Sequence, residues 1–206
     1  MEIILKEAGK RYGTEWIFRN VSLTFREGGS YAILGKNGSG KSTLLQIISG
    51  NLLPTAGTVQ YSAGNNEIPS EKVFHYLTLC APYQELIEEF TLEEMLNFHF
   101  SFKNYLPGFD RKKLMEMLGF KVFRLKPIRS FSSGMKQRVK LLLALMSDVN
   151  LILLDEPTMN LDKAGTEWYL ELIRIHAGNR TIVVCSNLEE TETGFCREKI
   201  RIEDYK

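Results

Sequence analysis

The first third of the chain shows the apolar–polar alternation of half-buried strands. Apolar residues alternate with polar ones over 21–25, and the alternation resumes over 59–61 after a turn at 54–57. A short apolar run, 31–34, ends at a glycine, and a further strand is predicted near 74–80. The N-terminal part of the chain is therefore predicted to be rich in strands.

Helical spacing replaces this alternation in the middle of the chain. Thr91 and Glu94 have the spacing of a capping box, in which the side chain of each residue bonds the backbone N–H of the other. A Pro-Gly pair at 107–108 interrupts the chain, and Asp110 is predicted to cap a second short helix that ends at Leu118. The middle segment is thus predicted to be helical.

Helices and apolar strands alternate in the last third of the chain. Helices are predicted over 133–147 and 164–177, and strands over 151–154 and 181–185. Apolar strands separated by helices are typical of parallel pairing in an α/β sheet. The chain is therefore predicted to be an α/β protein.

This pattern divides the chain into a core and an insertion. The α/β core is predicted over 1–83 and 132–206, and a helical subdomain over 84–131 lies between the two parts. The composition is that of an ordinary folded domain, because 44% of the 206 residues are hydrophobic and 25% are charged.

The charge balance and hydropathy exclude two classes of protein. The 26 Lys and Arg residues nearly balance the 25 Asp and Glu residues, so binding to nucleic acid by bulk charge is not expected. No apolar stretch reaches the roughly 18–20 residues of a membrane span, and the N-terminus lacks a signal-peptide core. Any link to a membrane is therefore expected to come through a partner.

Residues 35–42 match the phosphate-loop pattern of a glycine, four further residues and then Gly-Lys-Ser. A predicted strand precedes the pattern and a helical run follows it, which favours a phosphate site over a chance glycine-rich turn. Glycines let backbone N–H groups turn toward phosphate oxygens, the lysine can neutralise the β- and γ-phosphates, and the serine can bind Mg²⁺. The predicted nucleotide-binding residues here are Gly35, Asn37, Gly38, Ser39, Gly40, Lys41, Ser42 and Thr43.

Two acids, Asp155 and Glu156, follow the apolar strand predicted over 151–154. In a parallel sheet the carboxyl ends of the strands line the ligand crevice. Asp155 is then expected to hold Mg²⁺, and Glu156 to polarise a water in line with the γ-phosphate. The alternative is two solvated acids before the turn at Pro157, which the nearby phosphate loop disfavours because Mg²⁺ needs a second anchor.

Nearly the whole chain, including these motifs, resembles the nucleotide-binding domain of ATP-binding-cassette (ABC) transporters. Residues 131–138, Phe-Ser-Ser-Gly-Met-Lys-Gln-Arg, resemble the signature segment of that family. Its first, third and fifth positions differ here, but Ser132 and Gly134 are retained. Gln84 matches the glutamine loop of the family, and 159–162 resemble its D-loop.

This resemblance implies a P-loop NTPase core with a mostly parallel sheet, an antiparallel β region near the N-terminus and a small helical subdomain. It also implies an ATPase that uses ATP and Mg²⁺ and drives transport by a separate integral-membrane permease. A second nucleotide-binding domain, from the same or a related chain, is expected to face the first head to tail. Each ATP would lie between Lys41 of one domain and Ser132 and Gly134 of the other. The chain is expected at the cytoplasmic face of the membrane, and nucleic acid is not an expected partner.

The catalytic roles of the family map onto this chain with one departure. The resemblance implies that Glu156 is the general base and that Gln84 contacts Mg²⁺ or the attacking water. Asn187 occupies the place of the usual histidine, and its carboxamide can donate to the γ-phosphate but cannot become cationic. We therefore expect slow but real hydrolysis. Tyr12 is expected to stack on adenine, with Trp16 as the alternative.

Other functions share parts of this pattern. A soluble cassette ATPase that acts on ribosomes or DNA is the main alternative, although such relatives usually carry two cassettes or a long coiled-coil insertion. A kinase or GTPase would not need the signature segment, and the sequence has no guanine-recognition motif Asn-Lys-x-Asp. The signature variant favours export weakly, and the transported substrate cannot be identified from a cassette. An acidic run over 85–94 faces either solvent or a basic helix of the permease.

Overall fold

The chain forms two compact units in a computed structural model that describes residues 1–64, 66–119, 123–187 and 190–206. The first unit consists of Met1–Leu79, Val149–Glu156 and Gly178–Lys206. The second unit consists of Cys80–Asp148 and Pro157–Ala177.

The strands, in chain order, are β1 (Glu2–Tyr12), β2 (Glu15–Phe25), β3 (Ser30–Leu34), β4 (Ala56–Ala63), β5 (Asn66–Ile68), β6 (Leu77–Cys80), β7 (Leu151–Asp155), β8 (Thr181–Ser186) and β9 (Glu198–Arg201). The α-helices are α1 (Lys41–Ile48), α2 (Leu92–His99), α3 (Arg111–Leu118), α4 (Ser133–Leu145), α5 (Lys163–His176) and α6 (Glu190–Thr193). Short 3₁₀ helices cover Ser70–Tyr76, Ile128–Ser130 and Ile202–Tyr205. Within the described residues, no helix has the length and apolar character that crossing a membrane requires.

Two sheets organise the first unit. One is antiparallel, with the strand order β2-β1-β4-β5. The other has the order β6-β7-β8-β3-β9, and its pairs β7–β8, β8–β3 and β3–β9 are parallel. The predicted fold class is confirmed, because a mostly parallel sheet and an antiparallel N-terminal region are both present.

The parallel register brings three strand ends to one edge of the sheet. Leu34 at the end of β3 pairs with Ser186 at the end of β8, and Asp155 at the end of β7 pairs with Cys185. Because these strands end in register, the loops that follow them begin at the same edge of the sheet. Ligands bind at this edge in open α/β sheets. The phosphate loop, the two acids and Asn187 therefore leave the sheet side by side.

The core of the first unit forms around this sheet. Leu153 of β7 and Val183 of β8 are fully buried, and Leu45 of α1 belongs to the same apolar cluster. The rings of Phe25 and Tyr31 meet edge to face with centroids 4.9 Å apart. Parallel strands covered on both faces need apolar residues throughout, which explains why these segments are uninterrupted apolar runs.

Both predicted helix caps of the middle segment are confirmed. The N–H of Glu94 donates to Thr91 Oγ1 at 3.2 Å, and the N–H of Thr91 donates to Glu94 Oε2 at 2.8 Å. Asp110 Oδ1 accepts from the N–H of Lys113 at 2.9 Å and begins α3. These caps are local in sequence, which is why the pattern alone reveals them.

The strand predicted near 74–80 was placed too early. It begins at Leu77, because the preceding residues form a 3₁₀ helix that starts after Pro69. Val73 is the buried residue of that helix and joins the core of the first unit. This helix buries a single side chain, so the segment lacks the alternation of a strand.

The second unit is helical. Within it, the guanidinium of Arg138 on α4 lies 4.5 Å from the ring centre of Trp168 on α5. The indole N–H of Trp168 donates to the carbonyl of Met117 on α3 at 3.2 Å. The helical subdomain predicted over 84–131 falls inside this unit, which is larger because α4 and α5 pack with its helices.

We expect His99 of this unit to make stability depend on pH. Its Nε2 lies 2.9 Å from Ser147 Oγ, and burial, helped by the charge of Lys103, lowers its pKa to about 4. Between pH 6.5 and about 4, His99 is protonated in the unfolded chain but stays neutral in the folded chain. Falling pH therefore lowers the free energy of unfolding. The loss is at most about 3 kcal/mol. Urea unfolding of His99→Gln should show less loss over this range, whereas His75→Gln, at an exposed histidine, should behave as the parent chain does.

Candidate nucleotide-binding site

The loop between β3 and α1 has the backbone of a phosphate cradle. Gly38 and Gly40 adopt φ of +76° and +108°, a region that other residues rarely enter. The N–H of Leu44 donates to the carbonyl of Gly40 at 2.9 Å, so α1 starts immediately after the loop. A helix start presents unpaired N–H groups and the positive end of the helix dipole to an anion.

Lys41 lies at the centre of this loop with only 4% of its side chain exposed. Its Nζ donates to the carbonyl of Gly35 at 2.9 Å and to the carbonyl of Lys36 at 3.2 Å. The same atom is 4.0 Å from Glu156 Oε1. The ammonium is thus fixed between the loop and the catalytic candidate at the end of β7.

A cavity of about 300 Å³ opens at the loop. Ser39 Oγ is buried there and has no hydrogen-bond partner among the described residues. An unsatisfied buried hydroxyl beside a lysine and a helix start fits a polar, anionic ligand. The cavity is lined by Ile17, Asn37, Gly38, Ser39, Gly40, Lys41, Ser42, Thr43 and Glu156.

Asp155 has the environment of a metal-binding carboxylate. It is 2% exposed, and burial raises its pKa, while a hydrogen bond from Ser42 and the charge of Lys41 lower it. Its Oδ1 has no hydrogen-bond partner within the described part of the chain. A divalent cation would compensate this buried oxygen, and hard oxygen ligands such as a carboxylate and a serine hydroxyl are those that Mg²⁺ prefers. The residues present therefore fit Mg²⁺, which Ser42 and Asp155 would hold.

Glu156 is held in an unusual backbone conformation. Its φ is +46°, and its N–H donates to the carbonyl of Cys185 on the neighbouring strand at 2.9 Å. Its side chain is 29% exposed and lines the cavity. A non-glycine residue at positive φ is strained, and such strain is concentrated at functional sites.

Asn187 follows the last residue of β8 and is exposed. The register of β8 with β7 and β3 brings it to the edge of the sheet from which the phosphate loop and Asp155 also leave. The next residues of the family's histidine region, 188–189, lie outside the described residues.

Three of the predicted site residues belong to the second unit, and their contacts within that unit are as follows. Gln84 Oε1 accepts from the N–H of Ala81 at 3.2 Å, so its carboxamide turns back on its own loop. Ser132 is exposed at the start of α4 and accepts from the N–H of Met135 at 3.2 Å. Gly134 lies so close to the D-loop that an added Cβ would stand 2.9 Å from the carbonyl oxygen of Asn160.

Tyr12 is not among the residues that line the cavity. It ends β1 with 53% of its surface exposed, and the ammonium of Lys10 lies 5.5 Å from its ring centre. The apolar residue that the structure places in the cavity is Ile17 of β2. Stacking of Tyr12 or of the alternative Trp16 on adenine stays a prediction.

Sequence reasoning missed three residues of this neighbourhood. Ile17 carries no motif, and its role appears only when β2 lies against the loop at Gly40. Glu203 Oε1 accepts from the N–H of Lys36 at 2.8 Å, which holds its pKa below the ordinary value. Glu192 is buried, and its charge helps to raise the pKa of Asp155. These contacts join distant parts of the chain, and no short pattern signals them.

Comparison with known proteins gives concordant matches. The sequence model of the family described as ABC transporter matches residues 18–159. The cytochrome c biogenesis ATP-binding export protein CcmA of Brucella abortus is 34% identical over 87% of this chain and 81% of its own length. The uncharacterized ABC transporter ATP-binding protein YcbN of Bacillus subtilis is 28% identical over 87% of this chain.

The match to YcbN spans only 59% of the length of that protein. Among solved structures, the bacterial ABC transporter cassette MJ0796, solved as a dimer, matches with a TM-score of 0.80 and 25% identity. That match covers 98% of this chain and 95% of the solved one.

We expect the two left-handed glycines of the loop to differ in their tolerance of alanine. A Cβ on Gly40 would stand 2.6 Å from Ile17 Cγ2, whereas a Cβ on Gly38 would meet no atom within 4 Å. Gly38→Ala should cost about 1 kcal/mol for its backbone conformation alone, and Gly40→Ala about 1–3 kcal/mol more. Urea unfolding measures both costs.

Ile17→Ala supplies the control for this comparison. Combined with Gly40→Ala, it removes the clashing methyl group and should recover part of the extra loss. Equal destabilisation by the two glycine substitutions would contradict this account of the loop.

Proposed function

Because this chain belongs to the ABC transporter family, we propose that it binds and hydrolyses ATP as the cassette subunit of an ABC-type membrane transporter. One observation carries the proposal: the loop around Lys41, the buried Asp155 and the strained Glu156 meet at one edge of a parallel sheet. A phosphate cradle, a metal-binding carboxylate and a residue that positions or activates the attacking water are the parts with which P-loop NTPases hydrolyse a nucleoside triphosphate.

ATP binding is assigned to the loop. Backbone N–H groups of 37–43 would surround the phosphates, and the ammonium of Lys41 would neutralise the β- and γ-phosphates. Ser42 and Asp155 would hold Mg²⁺, with Gln84 as a further ligand once its carboxamide leaves the N–H of Ala81. When bound, Mg²⁺ neutralises the charge that develops on the β- and γ-phosphate oxygens.

Hydrolysis is assigned to Glu156. Its carboxylate takes a proton from a water whose oxygen attacks the γ-phosphorus, and the bond from that phosphorus to the bridging oxygen of ADP breaks. Lys41, 4.0 Å from Glu156 Oε1, compensates the charge that passes to the phosphates. The Asn187 carboxamide would donate to a γ-phosphate oxygen as a neutral group, a weaker interaction than that of a cationic histidine.

A second cassette is proposed to complete each ATP site. Ser132 is exposed at the N-terminus of the 13-residue helix α4, and Gly134 follows in its first turn. A hydroxyl and backbone N–H groups at a helix start suit the γ-phosphate of ATP held by the other domain. The related cassette MJ0796 is a dimer. ATP that binds the closed dimer more tightly than the open one would shift the equilibrium toward closure, and hydrolysis would reverse it.

The permease is proposed to dock on the second unit, at the cytoplasmic face of the membrane. The rings of Phe90, Phe98 and Phe102 form a chain with centroid distances of 5.6 and 5.3 Å, and Phe102 is 70% exposed. Exposed glutamates at 85 and 89 precede this aromatic cluster. A cytoplasmic helix that combines apolar and basic residues would complement both features. The name of CcmA includes export, and we propose the same direction here.

The first test of this proposal compares two substitutions in an ATPase assay. Glu156→Gln removes the base and should lower kcat by about 10²–10⁴-fold while ATP still binds. Asn187→His adds a charge-assisted donor and should raise kcat by about fivefold. Glu67→Gln, at an exposed glutamate of β5, serves as the control and should leave kcat unchanged. Hydrolysis by Glu156→Gln at the parent rate would show that Glu156 is not the base.

The second test concerns the membrane partner. Tagged protein is purified from gently solubilised membranes of the native host, and a stoichiometric multi-span protein is expected to co-purify. Glu85→Lys with Glu89→Lys should weaken this association, because both side chains are exposed. Glu88 is left unchanged, since it already pairs with Lys136.

Reversal of two exposed glutamates of the first unit, Glu67→Lys with Glu198→Lys, is the matched control and should retain the partner. Recovery of ribosomes or nucleic acid in place of a membrane protein would contradict the transporter assignment and favour a soluble cassette ATPase. Equal recovery of the permease by both double variants would contradict the docking surface alone.

A further inference from the structure

We infer that Gln137 is a positioning residue that fixes the backbone after Glu156 and so aligns that carboxylate for hydrolysis. The inference rests on the proposed function, in which Glu156 is the general base. Gln137 lies on α4 and is only 3% exposed. Its Nε2 donates to the carbonyl of Pro157 at 2.8 Å and lies 4.0 Å from Cys80 Sγ.

A buried carboxamide at this place needs an explanation. The other buried residues of α4 are apolar, among them Val139 and the run 141–145. Burial of an amide costs free energy unless its polar atoms are hydrogen-bonded, so an apolar side chain of similar size would serve packing alone. The bond to Pro157 is what the glutamine adds.

A hydrogen bond to the backbone next to Glu156 would help to hold the strained conformation of that residue. It has φ +46°, and it precedes a proline, whose ring restricts the residue before it. Left-handed backbone at a non-glycine residue costs about 1–3 kcal/mol and persists only where the surroundings hold it. On its N-terminal side the N–H of Glu156 is anchored to the carbonyl of Cys185 at 2.9 Å.

On the C-terminal side Pro157 leaves a single backbone anchor. Proline has no N–H, so its carbonyl is its one backbone hydrogen-bonding group. Gln137 occupies that carbonyl. The strained residue is therefore held by the bond of its own N–H and by one bond at the next residue. The second bond depends on a side chain of α4, the helix that Ser132 caps.

The same helix also holds the loop of Gln84. One turn beyond Gln137, Lys140 Nζ donates to the carbonyl of Ala81 at 3.2 Å and to that of Gln84 at 3.4 Å. Thus α4 carries the signature serine at its start and anchors two segments with proposed catalytic roles along its length. The residues that line the ATP cavity all belong to the first unit, so loss of the Gln137 bond should impair hydrolysis and spare ATP binding.

Gln137→Met tests this separation of hydrolysis from binding in the full-length chain. Methionine has similar length but cannot donate to Pro157. We expect kcat to fall about 10–100-fold while the Kd for ATP stays within about twofold and binding stoichiometry is unchanged. Glu171→Met is the control, because the side chain of Glu171 is exposed on α5 and pairs with Arg174 of the same helix. It should leave kcat near the parent value.

A double-substitution cycle shows whether Gln137 acts through Glu156. If it does, Gln137→Met should cause little further loss in a Glu156→Gln background, since the base it aligns is already gone. Equal fold-losses in both backgrounds, or a Kd for ATP that rises as kcat falls, would overturn the inference.

Failure of this inference can be distinguished from failure of the proposed function. Where the methionine variant does not fold, Gln137→Leu is a second apolar replacement that cannot donate to the carbonyl of Pro157, and it should show the same selective loss of kcat. Parent-level kcat in that folded variant would also overturn the inference. Hydrolysis by Glu156→Gln at the parent rate would remove the proposed base itself, and with it this role for Gln137, whatever the methionine variant does.

Discussion

The in-register parallel pairing of β3, β7 and β8 is the constraint on which the nucleotide site depends. Because the three strands end together, the N–H of Gly35 reaches the carbonyl of Ser186 at 3.3 Å, and the N–H of Glu156 reaches that of Cys185 at 2.9 Å. A shift of one residue would turn each strand's side chains to the opposite face and separate these loops. The apolar core therefore fixes the positions of polar groups that it does not contain.

Charged side chains are buried at that edge of the sheet. Burial of a charge costs free energy unless nearby groups compensate it. Lys41 and Asp155 are 4% and 2% exposed, and the positive charge of Lys41 lowers the pKa of Asp155 while burial raises it. Carbonyl oxygens of the loop bind the ammonium, and the carboxylate of Glu203 binds the N–H of Lys36. The ammonium of Lys41 and the carboxylate of Glu203 are thus each hydrogen-bonded to backbone groups of the loop, whereas Asp155 Oδ1 has no such partner among the described residues and suits a cation.

The parts of this structure that the sequence predicts are those with local causes. The phosphate loop, the acids after β7 and the caps at Thr91 and Asp110 each depend on residues within one turn or one strand. The start of β6 was misplaced, because the tertiary packing of Val73 overrides the apparent alternation. Glu203 and Lys36 are separated by 167 positions and come into contact only when the chain folds. No local pattern in a single sequence predicts such a contact.

The boundary between the two units falls directly after Glu156. The first unit ends one of its segments at Glu156, and the second unit resumes at Pro157. Glu156, the proposed base that takes a proton from the attacking water, is thus covalently joined to the unit that carries Ser132. Its own N–H is bonded to Cys185, and the next residue, Pro157, is bonded to Gln137. In the proposed mechanism, ATP binding uses the contacts of the first unit, whereas hydrolysis also uses the bond from Gln137 to Pro157. If the neutral Asn187 stands at the γ-phosphate in place of a cation, as proposed, that side chain compensates less transition-state charge, and the rate of hydrolysis depends more on the proposed alignment of Glu156.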